Sequence, residues 1–322
     1  MTMAEERASL RRWSGSSMKW ARAALVFVAV LGVVELGLHV HHAKKSPNAE
    51  DWSRLAEAVM QERRDGDVVV VAPLWADPLA RQALGDGVFP LRDVARPDMS
   101  RYATAFEIGV LGQTSSELGG FRELSRRNAG PFTLRRLENP NYIPIVFDFV
   151  DNLEAGRVTV RVTDPAANCT FTANARPIAG GLGGHPTFPK KRFECPGGFF
   201  FNVSQTVIAD RDFRPRRCVW AHPPNKGEVV VRFSDVPLGN VIRGHGGMYW
   251  MIEREGRGAS VFVSVRVDGM EVGKYEHRDG DGWSSFEMPL GAHAGKKNAV
   301  VEFFVSSKNN QHRHFCFEAD SR

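Results

Sequence analysis

Two short runs bring imidazole, guanidinium and aromatic groups close together in the chain. Arg243-Gly244-His245-Gly246-Gly247 reads as a flexible loop leading to Tyr249 and Trp250, and His312-Arg313-His314 follows Asn309 and Asn310. Residues of these types suit sugar recognition: aromatic faces stack on pyranose rings, while Arg, His and Asn hydrogen-bond hydroxyl groups. Arg243, His245, Tyr249, Trp250 and Arg313 are therefore the candidate ligand-binding residues. His312 and His314, two apart, could share a sheet face and with His245 offer three imidazoles to a metal, but no metal or cofactor is expected.

Other chemistry finds less purchase. No G-x-x-x-x-G-K-[ST] run or G-x-S-x-G elbow occurs, so neither a phosphate-binding loop nor a hydrolase nucleophile is signalled. Asp210/Asp212 and Asp279/Asp281 have the i, i+2 spacing of paired carboxylates, yet both pairs sit in Arg- and Gly-rich sequence that reads as solvated turns. Asp279-Gly280-Asp281-Gly282 ends at Trp283 without the terminal acid of a calcium loop. Gly180–Gly184 reads as an exposed loop. The formal net charge is +5 over 322 residues, but residues 1–50 hold seven Lys/Arg against four acids. The remainder is nearly neutral, which argues against nucleic acid as a partner.

The elements that must position these residues begin with Ala23–Val40, a stretch interrupted only by Glu35 and His39. At helical rise its 18 residues span about 27 Å, close to a bilayer core. Five basic residues precede it and Lys44 and Lys45 follow, so the positive-inside rule places the N-terminus in the cytoplasm and the rest outside. A cleaved signal remains an alternative, although His41-His42-Ala43 makes a poor cleavage site. All four cysteines lie downstream. Cys169 and Cys195 flank a Gly/Pro-rich excursion, so Cys169–Cys195 with Cys218–Cys316 is the preferred pairing among three.

Beyond a linker at 43–50, Trp52, Leu55, Ala56, Val59 and Met60 mark one helical face, with Asp51 placed to cap it. Val68–Ala72 is a continuous apolar run of the kind buried on both faces in a parallel sheet. Thr114–Glu117 has capping-box spacing ahead of Leu118, Phe121 and Leu124, which predicts a helix between strands at Phe106–Leu111 and Phe132–Leu137. A helix opening at Gln113, Thr114 and Ser115 could hold an anion. In an open α/β sheet, ligands sit past the carboxyl ends of strands, here at Trp75, Asp77, Gln113 and Thr114, but three strands suit a scaffold better than a working site.

From Tyr142 on, helical periodicity gives way to short alternating runs such as Val261, Val263, Val265 and Val267, with Asp268-Gly269 fitting a tight hairpin. The fold class expected is α+β: cytoplasmic tail 1–22, transmembrane anchor 23–42, linker, a three-stranded α/β unit over 51–140, and an antiparallel jelly-roll-like β-sandwich over 141–322.

Residues 51–138, particularly Asp67–Trp75, resemble extracytoplasmic α/β segments of membrane glycosyltransferases that use polyprenyl-phosphate sugars, a family whose chemistry resides in a multi-span domain with no counterpart here. Residues 228–322, notably Val265–Gly269 and Gly282–Phe286, resemble jelly-roll carbohydrate-binding modules. The function expected is that of a membrane-anchored extracytoplasmic protein that binds a glycan or an envelope protein partner, without catalysis, through loops at an end of the β-sandwich. A carbohydrate-active enzyme or glycosyltransferase accessory subunit, and a structural assembly protein, are the alternatives.

Overall fold

A computed structural model describes residues 3–85, 87–180 and 185–322; four of the five residues of the Gly180–Gly184 run lie outside them. A helix, α1 (Met3–Lys45), contains the segment Lys19–His41, which is long and apolar enough to cross a membrane and is exposed along its length. After three residues comes α2 (Ala49–Glu62), capped by Asn48 rather than Asp51. The Asn48 side chain accepts from the Glu50 and Asp51 amides, while Asp51 at the third helical position returns the bond to the Asn48 amide.

The α/β unit has one more strand than its sequence suggests. Strands β1 (Asp67–Ala72), β2 (Thr104–Val110), β3 (Arg122–Ala129) and β4 (Phe132–Glu138) form a sheet in the order β1-β2-β4-β3. Only β1 and β2 are parallel. As its apolar run requires, β1 is buried on both faces. Val69 and Val71 pack with α2 and the helix α3 (Asp77–Leu84), and Val68 and Val70 pack against Tyr102, Leu118 and Leu137. The helix expected after Thr114 is instead one 3-10 turn, Ser116–Leu118, followed by β3. Gly119-Gly120 interrupts the helical pattern, and Gly130, at φ 61°, turns the chain so that β3 pairs back on β4.

The rest is an antiparallel sandwich. One sheet joins β6 (Val158–Thr163), β7 (Ala166–Asn168), β12 (Val229–Val236), β14 (Val261–Val267), β15 (Met270–His277) and β17 (Ala299–Ser307) in the order β15-β14-β17-β12-β6-β7. The other contains β5 (Phe147–Asp148), β8 (Thr170–Thr172), β9 (Arg192–Glu194), β10 (Asn202–Ala209), β11 (Pro215–Ala221), β13 (Val241–Met248), β16 (Ser284–Pro289) and β18 (Phe315–Ser321). Its order is β16-β13-β18-β11-β10-β9-β8, with β5 beside β18. The inward valines of β14 and Val301, Phe303 and Val305 of β17 have no exposure and form one core with Ile242, Phe286, Phe315 and Phe317 opposite. Asp268 (φ 49°) and Gly269 (φ 84°) make the β14–β15 turn with both central residues left-handed, as a two-residue hairpin requires.

The run read as a flexible loop, Arg243–Gly247, is the interior of β13. Glycine is needed there because rings lie on the backbone: a Cβ at Gly246 would come within 2.8 Å of Tyr275 and 3.0 Å of Phe315.

Both disulfides have the preferred pairing, Cys169–Cys195 and Cys218–Cys316. The second joins β11 to β18, which share only two ladder positions, Val219↔Phe317 and Trp220↔Cys316. Loop-closure entropy assigns about 3.5 kcal/mol to the 26-residue separation and about 4.7 kcal/mol to the 98-residue one. Replacing Cys218 and Cys316 by serine should therefore lower the urea midpoint more than replacing Cys169 and Cys195; equal or reversed losses in equilibrium unfolding would contradict this ordering.

Candidate functional site

The segment 91–101, between α3 and β2, lies over the outer face of the sandwich sheet that contains β13 and β18. Arg101 bridges Asp148 (3.0 Å) and Glu318 (3.6 Å), and the Arg216 guanidinium donates to the Ala95 carbonyl at 2.7 Å. Asp98 receives Arg322 at 2.8 Å and Arg243 at 3.5 Å. Burial alone would raise the Asp98 carboxyl, but the Ser100 amide and the Arg322 charge hold it below its ordinary value.

This seam accounts for two of the candidate binding residues. Arg243 is spent on Asp98 and on Glu287, 2.8 Å away, and His245, 8% exposed, has Nδ1 3.0 Å from Glu318. Neither is on a sandwich-end loop. Arg313 is also committed: 1% exposed, it is ion-paired with Asp279, whose other oxygen accepts from the Arg257 and Gly258 amides at 3.0 and 2.8 Å. Burial works to raise Asp279, yet the Arg313 guanidinium and these amides keep it low. The pair ties two loops beneath a polar cleft of about 420 Å³ that includes Asn309, Gln311 and His312. Tyr249 is buried at the start of α4 (Trp250–Glu255). The three imidazoles do not converge: His312 faces Glu255, His314 stacks on Phe200, and His245 is on the covered sheet face.

None of the five lines the larger opening nearby, although Trp250 packs against Phe213, which does. A cleft of about 560 Å³ lies at the carboxyl ends of β1 and β2, walled by the α/β unit on one side and by the β10–β11 loop on the other. The α/β unit contributes Leu74, Asp77, Arg96, Thr114, Ser116 and Glu117. Asp77 and Thr114 are two of the residues that strand direction singles out, so three β/α elements do bound a working-sized cavity once the sandwich closes it. The helix that would present an anion site at Gln113–Ser115 is absent, since only the 3-10 turn follows. Asp77 is paired with Arg81 at 2.6 Å and Glu117 with Arg96 at 2.7 Å.

The opposite wall is built by Asp210, which is not a solvated turn acid. It is 3% exposed, bonds Arg216 at 2.7 Å, and accepts the Asp212 and Arg214 amides at 2.9 Å each. These bonds hold the loop so tightly that Phe213 adopts φ 61°, a left-handed conformation unfavourable for a bulky side chain. The strain leaves its ring 56% exposed at the cleft mouth. Trp250 packs against that ring with centroids 5.1 Å apart, and the Arg254 guanidinium lies 4.4 Å from the Phe213 centroid and 5.5 Å from that of Trp250. Phe213, Arg214, Arg254 and Arg96 were not among the residues expected to bind. The readable signal was Asp210–Arg216, an aromatic set among alternating charges in a hairpin loop.

A Ser–His–Glu array exists elsewhere but is sealed. His277 Nε2 lies 2.7 Å from Glu253 Oε1 and Nδ1 3.4 Å from Ser284 Oγ, while the Tyr275 hydroxyl sits 2.6 Å from that Oγ and 3.0 Å from Nδ1. His277 has no exposure, and Glu253 also accepts the Met248 and Gly280 amides. The array fastens α4 to β13, β15 and β16. Burial raises the Tyr275 hydroxyl well above its ordinary pKa, so it stays protonated as a donor.

No protein-family model matches the chain, and no curated protein matches it. Among solved structures it is similar to CBM51 from Clostridium perfringens GH95 in complex with methyl-galactose, at 12% identity over 37% of this chain and 81% of that one, with TM-score 0.27. It is also similar to CBM51-2 in complex with GlcNAc and INT domains from Clostridium perfringens ZmpB, at 10% identity over 70% of this chain and 45% of that one, TM-score 0.32. A third is the CBM36-1 domain of a multidomain xylanase from the hindgut metagenome of Trinervitermes trinervoides, at 14% identity over 51% of this chain and 92% of that one, TM-score 0.19. These likenesses are to carbohydrate-binding modules, at a distance that transfers no residue of theirs to this chain. These matches lend no support to the glycosyltransferase resemblance of residues 51–138.

Two consequences can be measured. Glu253→Ala leaves His277, the buried Met248 amide and the partly buried Gly280 amide without their acceptor and should cost about 3–5 kcal/mol in urea unfolding; a loss below about 1 kcal/mol would mean the array is incidental. Burial pushes His222 down to about 4, with Arg313 also lowering it and the His314 ring 5.7 Å away. The folded state therefore keeps His222 neutral while the unfolded state protonates near 6.5, so stability falls as pH drops from about 6.5 to 4. Between pH 7 and 4.5 this term removes about 2.5 kcal/mol, and His222→Gln should lose correspondingly less; parallel acid limbs for the two proteins would refute it.

Proposed function

We propose that this is a membrane-anchored protein whose α/β unit and sandwich stand outside the cytoplasm and bind a glycan in the cleft between them. The observation that carries the reading is Phe213, held in a strained conformation by a buried ion pair, with its ring presented to solvent beside hydroxyl and guanidinium donors. A flat ring offers a stacking face for a sugar, and Thr114, Ser116 and Arg214 supply hydrogen bonds to its hydroxyls. Both carboxylates at the cleft are neutralised by arginines, which favours holding a ligand over protonating one. The two disulfides suit an oxidising compartment, and the apolar segment Lys19–His41 with its basic leading flank suits an anchor whose C-terminal side is translocated.

The test is a broad glycan array probed with the full chain in lipid nanodiscs, alongside Phe213→Ala and Trp250→Ala. Saturable binding is expected, weakened about tenfold by Phe213→Ala and less by Trp250→Ala, whose indole is partly buried. Absence of binding to every glycan, or binding indifferent to Phe213→Ala in a folded variant, would refute the reading.

A further inference from the structure

The charges around the cleft do not cancel. Asp77 and Glu117 are matched by Arg81 and Arg96, whose pairs are internal to the α/β wall. Across the opening, Asp210 is consumed by Arg216, and Arg254 lies against the Phe213 and Trp250 rings while donating to the Arg211 carbonyl at 3.0 Å. Arg214 is different. Its amide is used by Asp210, but its exposed guanidinium has neither an ion pair nor a hydrogen bond among the described residues, and it lines the cleft next to Phe213. Asp212, the remaining acid of the loop, does not line the cleft. Facing Arg214 are the Thr114 and Ser116 side chains, whose hydroxyls likewise have no hydrogen bond among the described residues.

From this uncompensated positive charge beside a stacking ring, we infer that the ligand is an acidic saccharide, with a sugar face on Phe213 and an oxyanion on the Arg214 guanidinium. The inference rests on the glycan-binding reading and narrows it to a chemical class. A guanidinium presents two parallel N–H groups to a carboxylate, sulfate or phosphate, and such charge-assisted bonds are about twice as strong as those to a neutral hydroxyl. Thr114 and Ser116 complete the donor set without adding charge that would repel the anion. The loop holds Arg214 by its backbone alone, so its side chain is free to follow the acidic group.

The experiment uses the full chain in nanodiscs of neutral lipid on an array where uronate-containing, sulfated and phosphorylated glycans are each printed beside their neutral parents. At least one acidic member should bind at least tenfold more tightly than its parent. The difference should shrink as salt is raised, and Arg214→Gln should bring each acidic member down to the level of its neutral parent while leaving the thermal midpoint unchanged. Arg214→Lys should restore part of it, because charge is kept and the fork geometry lost. Which acidic series responds distinguishes carboxylate from sulfate or phosphate. Equal binding of acidic and neutral partners, or a preference indifferent to Arg214→Gln, overturns the inference and leaves glycan binding standing. No binding to any member overturns both.

Discussion

The architecture depends on the seam of arginines and carboxylates that lays residues 91–101 against the outer face of the sandwich. Asp98 meets Arg322 and Arg243, Arg101 meets Asp148 and Glu318, and Arg216 reaches the Ala95 carbonyl. Partly buried pairs of this kind are costly to break because each partner leaves a charge without compensation. They also have directional geometry, so they fix the orientation of the α/β unit where an apolar contact would let it slide. The cleft is a product of that orientation. One wall is the carboxyl edge of a small mixed sheet, the other a hairpin loop from a different fold class, and neither encloses a ligand alone.

Rigidity on the sandwich side reinforces this. Cys218–Cys316 secures β11 beside its short ladder with β18, and the Asp210–Arg216 pair runs from the residue after β10 into β11. The loop carrying Phe213 is therefore anchored to a strand that cannot separate from its neighbour, and the unfavourable backbone at Phe213 is maintained by its surroundings rather than by local preference. The sealed Glu253–His277 array does similar work for α4, which carries Trp250 and Arg254.

Much of the fold was legible because one-face burial imposes a period on the sequence. The valines of β14 alternate without exception, the β1 run has no polar interruption, and Asp268-Gly269 meets the left-handed demand of its turn. Both disulfides were legible from the excursion that Cys169 and Cys195 enclose. What escaped depends on contacts distant in sequence. Gly244, Gly246 and Gly247 look like a loop until aromatic rings are placed over them, and β3, exposed along nearly its whole length, is a strand only because β4 offers an edge. Arg243 and His245 looked available because Asp98 and Glu318, separated from them by 145 and 73 residues, were not yet beside them. The exposure of Phe213 was hidden for the same reason: nothing local announces that Asp210 will be buried.

The connection between α1 and α2 is three residues, Ser46, Pro47 and Asn48. Fully extended it reaches no more than about 11 Å, and proline shortens the range of shapes it can sample. With α1 in a bilayer, the folded portion is leashed rather than projected: it rides at headgroup height and cannot sweep a volume much larger than itself. If α1 is the proposed anchor, whatever occupies the cleft must come to the membrane surface, and molecules already confined there would meet it as neighbours in two dimensions instead of by search through solution.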